Sequence, residues 1–227
     1  MCGRYVLRLI WRDIRDRYRA TLPDEPPEQL KPSYNVAPTD VMPIIRPHGN
    51  SRELLMAGWG LMPFWLKPEQ LSQRPYSTIN ARSDRIQTAP TYREPFAKRR
   101  CIVPATGWYE WQKINAKQKR PYHFQPKATP FAFAGVYDVW NADGGKAIRS
   151  FAIVTTDATP KMAQYHDRMP LVLEESQFED WMRGTPDQAA EMMTSYGGEI
   201  EAWEVGAAVG NSKNKGGPEL IERVGLL

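Results

Sequence analysis

The residue with the least ordinary chemistry comes second, in Met1-Cys2-Gly3-Arg4. Initiator methionine is normally trimmed before a residue as small as Cys, which makes Cys2 the expected mature terminus. A terminal cysteine carries an α-amine and a thiol on adjacent carbons, with reference pKa values of about 7.7–8.0 and about 8.5. Both nucleophiles are then partly available near neutral pH without help from the fold. The competing reading is a frayed end with Cys2 as a bystander.

Several other segments combine polar groups with Gly, Pro or aromatic residues in ways that a plain core strand does not need. In Ser77–Asp84, Asn80 can donate and accept hydrogen bonds and Arg82 can clamp a phosphate; the alternative is a polar loop with a surface ion pair. In Pro104–Trp111, Glu110 lies among three aromatics. If buried, its pKa rises into the range suited to proton transfer; if it faces outward, it is an ordinary strand residue. In Tyr165–Pro170, His166 stands beside an acid and near a base. It suits proton transfer at pH 7, or it complements a helix end. In Ala208–Gly217, glycines, amides and lysines, Lys213 among them, suit phosphates but lack P-loop order; a flexible polar loop is the plain alternative. Phe64 and Trp65, between Pro63 and Leu66, form an aromatic wedge suited to unpaired bases. Tyr34–Pro38 reads as a polar and aromatic turn.

These segments need a scaffold, and the periodicity supplies one. Trp11, Ile14 and Tyr18 fall at helical spacing. Pro23, Pro26, Pro27 and Pro32 mark an irregular connection. Strand-like runs follow at 41–46, 53–62, 100–104, 108–113, 122–125, 131–140, 148–155 and 171–173, with a last one at 199–205. Helical patterns occupy 159–165, 176–183 and 186–196, and Thr159-Pro160 and Thr185-Pro186 are cap-then-proline starts. No repeat or composition break divides the chain, so one α+β domain over residues 1–227 is expected.

The 227 residues are 41% hydrophobic and 25% charged, an ordinary globular balance. No run approaches a membrane span and no signal segment is recognisable, so a cytoplasmic protein is expected. Two cysteines and three histidines lack metal-type spacing, and neither a metal nor another cofactor is expected. Cys101 reads as a core residue of a strand. A net charge of +4 is compatible with nucleic acid. Of the eight tryptophans, most belong to a core and some suit base stacking.

Together the segments resemble the abasic-site-processing family, also called SOS-response-associated peptidases. The matches are Met1–Arg4, Tyr34–Pro38, Asn80–Arg82, Gly107–Trp111, His166–Pro170 and Ala208–Asn214, in the family's order and over nearly the whole chain. Asp84 stands where many members carry Glu, and Thr106 and Trp108 where other residues are frequent.

The resemblance implies a mostly antiparallel, β-barrel-like core with peripheral helices. It implies a groove for single-stranded DNA containing abasic sites, bound by a monomer associated with the nucleoid, with the replication machinery as a further partner class. Cys2, Asn80, Glu110 and His166 would form the catalytic group. Arg4, Asn35, Trp65, Arg82, Trp111 and Arg168 would line the DNA path, joined by Phe64 and Lys213. The implied product is a covalent crosslink between Cys2 and the ring-opened aldehyde of an abasic site, a thiazolidine, formed after Met1 is removed. Two rival readings are an N-terminal-nucleophile amidohydrolase, in which the Cys2 thiol attacks an amide, and a noncatalytic single-strand-binding module.

Overall fold

Apolar alternation resolves into two sheets and five short α-helices in the computed structural model, which describes residues 2–21, 30–69, 78–141 and 147–225. Met1, Pro23, Pro26, Pro27 and Ser77 lie outside the described residues. The strands are β1 (Tyr5–Leu7), β2 (Ala20–Thr21), β3 (Ser33–Val36), β4 (Val41–His48), β5 (Ser51–Trp59), β6 (Asn80–Arg82) and β7 (Arg100–Pro104). They continue as β8 (Gly107–Lys113), β9 (Lys119–Pro126), β10 (Phe131–Trp140), β11 (Ile148–Asp157), β12 (Arg168–Pro170), β13 (Val172–Glu174) and β14 (Ile200–Glu204). The helices are α1 (Trp11–Tyr18), α2 (Arg93–Lys98), α3 (Pro160–Ala163), α4 (Phe178–Arg183) and α5 (Pro186–Glu191).

One sheet runs β14-β9-β8-β1-β3. The other runs β12-β11-β10-β7-β4-β5-β2, with β13 on β10 and β6 on β11. A parallel pairing of Ser150 and Phe151 with Gly58 and Trp59 joins β11 back to β5. The path β5-β4-β7-β10-β11 therefore closes on itself, and those five strands lose their free edges to one another. The fold is α+β with a sheet-rich core, as the alternation predicts.

Aromatic side chains join the two sheets. Tyr5 of β1 meets Trp59 of β5 at 5.2 Å and Phe133 of β10 at 6.0 Å, both edge-on. Trp108 of β8 stacks on Phe124 at 5.5 Å and meets Phe133 at 5.9 Å. Offset and edge-on contacts of this kind add to the area these rings bury. Trp59, Trp108, Trp140 and Trp181 are core residues, whereas Trp65 is exposed. Cys101 is fully buried on β7.

Local signals account for many boundaries. In α1, Ile14 and Tyr18 share the buried stripe, and Arg19 ends the helix in the left-handed region at φ 51°. The Thr159 and Thr185 side chains accept from Met162 N and Gln188 N, capping α3 and α5. Gly107 permits close approach: a Cβ there would lie 2.4 Å from His123 Nε2. Gly60, at φ +131°, turns the chain out of β5.

The structure departs from the sequence reading in several places. Ser33–Val36 is a strand, not a turn, because it completes the sheet beside β1. Asn80–Arg82 is also a strand, supported by parallel pairing to Ile153–Thr155 rather than by its own length. The helix at 186–196 stops at Glu191. Among the described residues, no helix is long and apolar enough to cross a membrane.

Candidate active site and nucleic-acid interface

The start of the chain is not frayed. Tyr5 pairs with Trp108, and Tyr109 N donates to Arg4 O at 3.0 Å. Upstream of this pairing, Cys2 lies close enough to Glu110 to feel its charge. Cys2 is fully buried, and its Sγ donates weakly to Arg4 O at 3.7 Å. Burial pushes the thiol well above its ordinary range, and the nearby Glu110 charge adds to the rise. The thiol is therefore neutral at rest.

The other side of Cys2 is built by β11. Its C-terminal half pairs with β6 on one side and β12 on the other: Thr155 aligns with Arg82 and with Pro170. Asn80 thus lies beside Ile153, and the segment before Arg168 lies past Asp157, where β11 ends. Asn80 Nδ2 donates to Cys2 O at 2.8 Å. Its Oδ1 is buried and has no hydrogen-bond partner among the described residues, leaving an acceptor beside the chain start.

Glu110 is 2% exposed on β8. Burial raises its carboxyl from 4.5 to about 7, and the Asp167 charge adds to the rise. Of the two orientations the sequence allows, the inward one is adopted. The same Asp167 lies 2.7 Å from His166 Nδ1. Arg168 N donates to that nitrogen at 3.0 Å. Nδ1 cannot accept from Arg168 while also carrying a proton toward Asp167. Burial lowers the His166 pKa despite the opposing pull of Asp167, which favours the neutral ring at rest. Glu110 and His166 thus offer two proton-transfer groups suited to neutral pH.

Around this centre lie the cationic and aromatic groups. Arg4 Nη1 donates to Asn35 Oδ1 at 2.9 Å and to Val209 O at 2.8 Å, and the Arg4 guanidinium lies 5.9 Å from the Trp111 ring centroid. Asn35 is fully buried, and its Nδ2 donates to the carbonyls of Val209, Asn211 and Asn214 at 3.3, 3.0 and 2.8 Å. Lys215 Nζ reaches Asn35 O at 3.0 Å and Asp40. Residues 207–215 are thereby strapped across the first residues of the chain. A groove of about 590 Å³ opens between the strap and the turn at 37–40, lined by Gly3, Arg4, Thr39, Asp40, Lys213 and Lys215.

Arg82 is exposed and pairs with Asp84 through two bonds, 3.0 and 2.9 Å, which hold the Asp84 carboxyl at about 2. Arg168 is 4% exposed, with Nη1 on Asp157 and Nη2 on Ser83 and Thr155 O. Phe64 and Trp65 are 47% and 48% exposed. Among the described residues, no cluster of three or more His, Cys, Asp or Glu is placed to hold a metal ion.

A sequence model of the SOS response associated peptidase (SRAP) family matches residues 1–212. The chain belongs to the SRAP family. It is 35% identical to abasic site processing protein YoqW of Bacillus subtilis, over 98% of this chain and 99% of that one. It is 30% identical to abasic site processing protein HMCES of Mus musculus, over 77% of this chain and 62% of the longer mouse protein. A crystal structure of a Bacteroides thetaiotaomicron protein superposes with a TM-score of 0.88 at 29% identity, covering 98% of this chain and 99% of that one.

In this SRAP chain the four residues read as catalytic fall on four different segments; Asn80 and Glu110 act directly on Cys2, and His166 is tied to Glu110 through the neighbouring Asp167 charge. The eight residues expected along a DNA path divide into two groups. Phe64, Trp65, Arg82 and Lys213 face solvent, Trp111 is partly exposed, and Arg4 reaches both the groove and the strap. Asn35 and Arg168 are buried; Asn35 Nδ2 and the two Nη atoms of Arg168 are committed to protein oxygens, while Arg168 Nε has no hydrogen-bond partner among the described residues. Sequence reading gave no role to Asp167, Asp40 or Lys215. Asp167 and Lys215 stood inside segments already singled out; Asp40 was not, although its Oδ2 accepts from Ala37 N three residues away, because its charge partner Lys215 is 175 residues away.

Proposed function

We propose that the chain, once Met1 is removed, processes abasic sites in single-stranded DNA by forming a covalent crosslink through Cys2. The observation that carries this reading is the seating of Cys2: its carbonyl is held by Asn80 while its buried side chain lies beside a carboxyl with a pKa of about 7. The names of the YoqW and HMCES relatives support abasic sites as the lesion processed.

The chemistry follows from the two nucleophiles. With its thiol held neutral by burial, Cys2 attacks first through the freed amine, at C1′ of the ring-opened aldehyde. The carbinolamine loses water to give an imine. The thiol then adds to the imine carbon and its proton passes to nitrogen, closing a five-membered thiazolidine. The net change is loss of one water. An imine left open would promote β-elimination and strand cleavage; ring closure removes it, and the adjacent position of the thiol makes that step intramolecular.

Glu110, near half-protonated at pH 7, takes the amine proton and returns it to the leaving hydroxyl. His166 moves a proton at the sugar ring oxygen during opening. Asn80 Oδ1 accepts from the Cys2 amine. Exposed cations hold flanking phosphates, and Trp111 and the Phe64-Trp65 pair stack flanking bases. The Cys2 amine must be free, because an amide nitrogen cannot form the imine, so loss of Met1 precedes the reaction.

Incubation of the mature chain with a single abasic strand should give a shifted band on a denaturing gel, and Cys2→Ala should abolish it while retaining salt-sensitive binding. Glutaminase activity with no shift would favour the amidohydrolase reading, and an undiminished shift with Cys2→Ala would overturn the Cys2 mechanism.

A further inference from the structure

The exposed Phe64-Trp65 pair is held more firmly than a surface loop requires. Met62 N donates to the buried Ser150 Oγ at 2.7 Å. Leu66 N closes a turn onto Pro63 O at 3.0 Å, and Trp140 Nε1 donates to Leu66 O at 2.7 Å. Between these anchors, Phe64 N donates to Asp138 Oδ2 at 3.0 Å.

Asp138 is an unusual residue for its place. It lies on β10 among buried aliphatic and aromatic neighbours and is 2% exposed. A carboxylate there loses its hydration, a cost that only partners can offset. Two backbone amides donate to it, Phe64 N to Oδ2 and Val139 N to Oδ1 at 2.8 Å, and the Arg99 guanidinium adds an ion-pair contact, with Nε 3.2 Å from Oδ1 but not in hydrogen-bond geometry. The Arg99 guanidinium in turn lies 5.7 Å from the Phe64 ring centroid. A buried carboxylate and a half-buried guanidinium, which also pairs with Glu94, therefore meet Phe64 at its backbone and its ring. Ordinary core packing would be served as well by an apolar residue at 138, so the charge calls for another role.

The loop is also tied to the reactive centre. Leu61 N donates to Thr78 O at 3.1 Å, and Trp59 Nε1 to Ile79 O at 2.9 Å. Both bonds fall within two residues of Asn80, which holds Cys2.

We infer that Asp138 and Arg99 are positioning residues, which fix the Phe64-Trp65 pair as a rigid stacking platform for an unpaired base flanking the abasic site. The inference rests on the proposed reaction and names how its substrate is held. A pre-fixed platform binds a base without first paying the entropy of ordering the loop.

The test uses two abasic oligonucleotides, one with the fluorescent base 2-aminopurine on the 5′ side of the lesion and one with it on the 3′ side. Stacking quenches this probe. The wild-type chain should quench one of the two, and Phe64→Ala or Trp65→Ala should remove that quench. Asp138→Ala should also remove it and raise the half-saturating DNA concentration by roughly tenfold, within the range of losing one stacked base. The rate at saturating DNA should change less. Asp138→Asn, which keeps an acceptor for Phe64 N, should recover part of both. If Asp138→Ala does not fold, Arg99→Gln carries the test and should reproduce the loss in weaker form.

A wild-type chain that crosslinks without quenching either probe would overturn the inference and leave the proposed reaction standing. So would a folded Asp138→Ala or Arg99→Gln chain with unchanged quench and half-saturation. A wild-type chain that neither binds nor crosslinks abasic strands would remove the reaction itself.

Discussion

Burial holds the Glu110 carboxyl at about 7 instead of 4.5, so the folded protein keeps a proton there after the unfolded chain has released it. Between those two values the native state binds more protons, and stability falls as pH rises. Above about pH 7 the full penalty applies, on the order of 3 kcal/mol. Glu110→Gln should therefore be more stable than wild type at pH 8 by about 2–3 kcal/mol, with the gap closing below pH 4.5, as read from denaturation midpoints across pH. The same substitution should slow the proposed crosslinking. Equal stability at pH 8 would mean that Glu110 is not held in a low-dielectric site. Sequence reading could name Glu110 and Cys2 but not their states. Alternation along Gly107–Lys113 allows either face inward, and only the pairing of β8 between β1 and β9 settles which.

At the scale of elements, the strap at 207–215 depends on Asn35. Asn35→Ala removes an amide that serves the carbonyls of Val209, Asn211 and Asn214 and accepts from Arg4. It should cost about 2–3 kcal/mol of stability, and loosening of the groove should weaken abasic-strand binding more than it slows reaction at saturation. Thermal melts and a titration of crosslinking rate check both; unchanged melting and half-saturation would show that the strap holds without it. The long strands and the capped helices were legible because their periodicity is local: α1, β7 and β10 match their expected bounds. The three-residue strands β1, β6 and β12 were not, although they carry the site. Their structure is supplied by distant neighbours, β8 for the first and β11 for the other two, and no window of the sequence records those pairings. Asn35 was read within a turn for the same reason: the carbonyls its Nδ2 serves lie 174 to 179 residues away.

The whole molecule sets Cys2 in a rigid frame. The circuit β5-β4-β7-β10-β11 and the Tyr5–Trp59–Phe133 contacts fix β1, and with it the start of the chain, against both sheets. The net charge of +4 and the exposed Arg82 and Lys213 predict binding that weakens as salt rises. If Lys213 contacts one phosphate, Lys213→Ala should lessen the slope of log affinity against log salt by roughly 0.7 on a single strand; an unchanged slope would place Lys213 off the DNA path. The central claim is that the reagent is the paired amine and thiol of Cys2, and intact-mass measurement tests it most directly. Mature chain incubated with an abasic strand should gain the mass of that strand less one water, and chain retaining Met1 should gain nothing. An adduct on the Met1-retaining chain, or none on the mature one, would contradict the account.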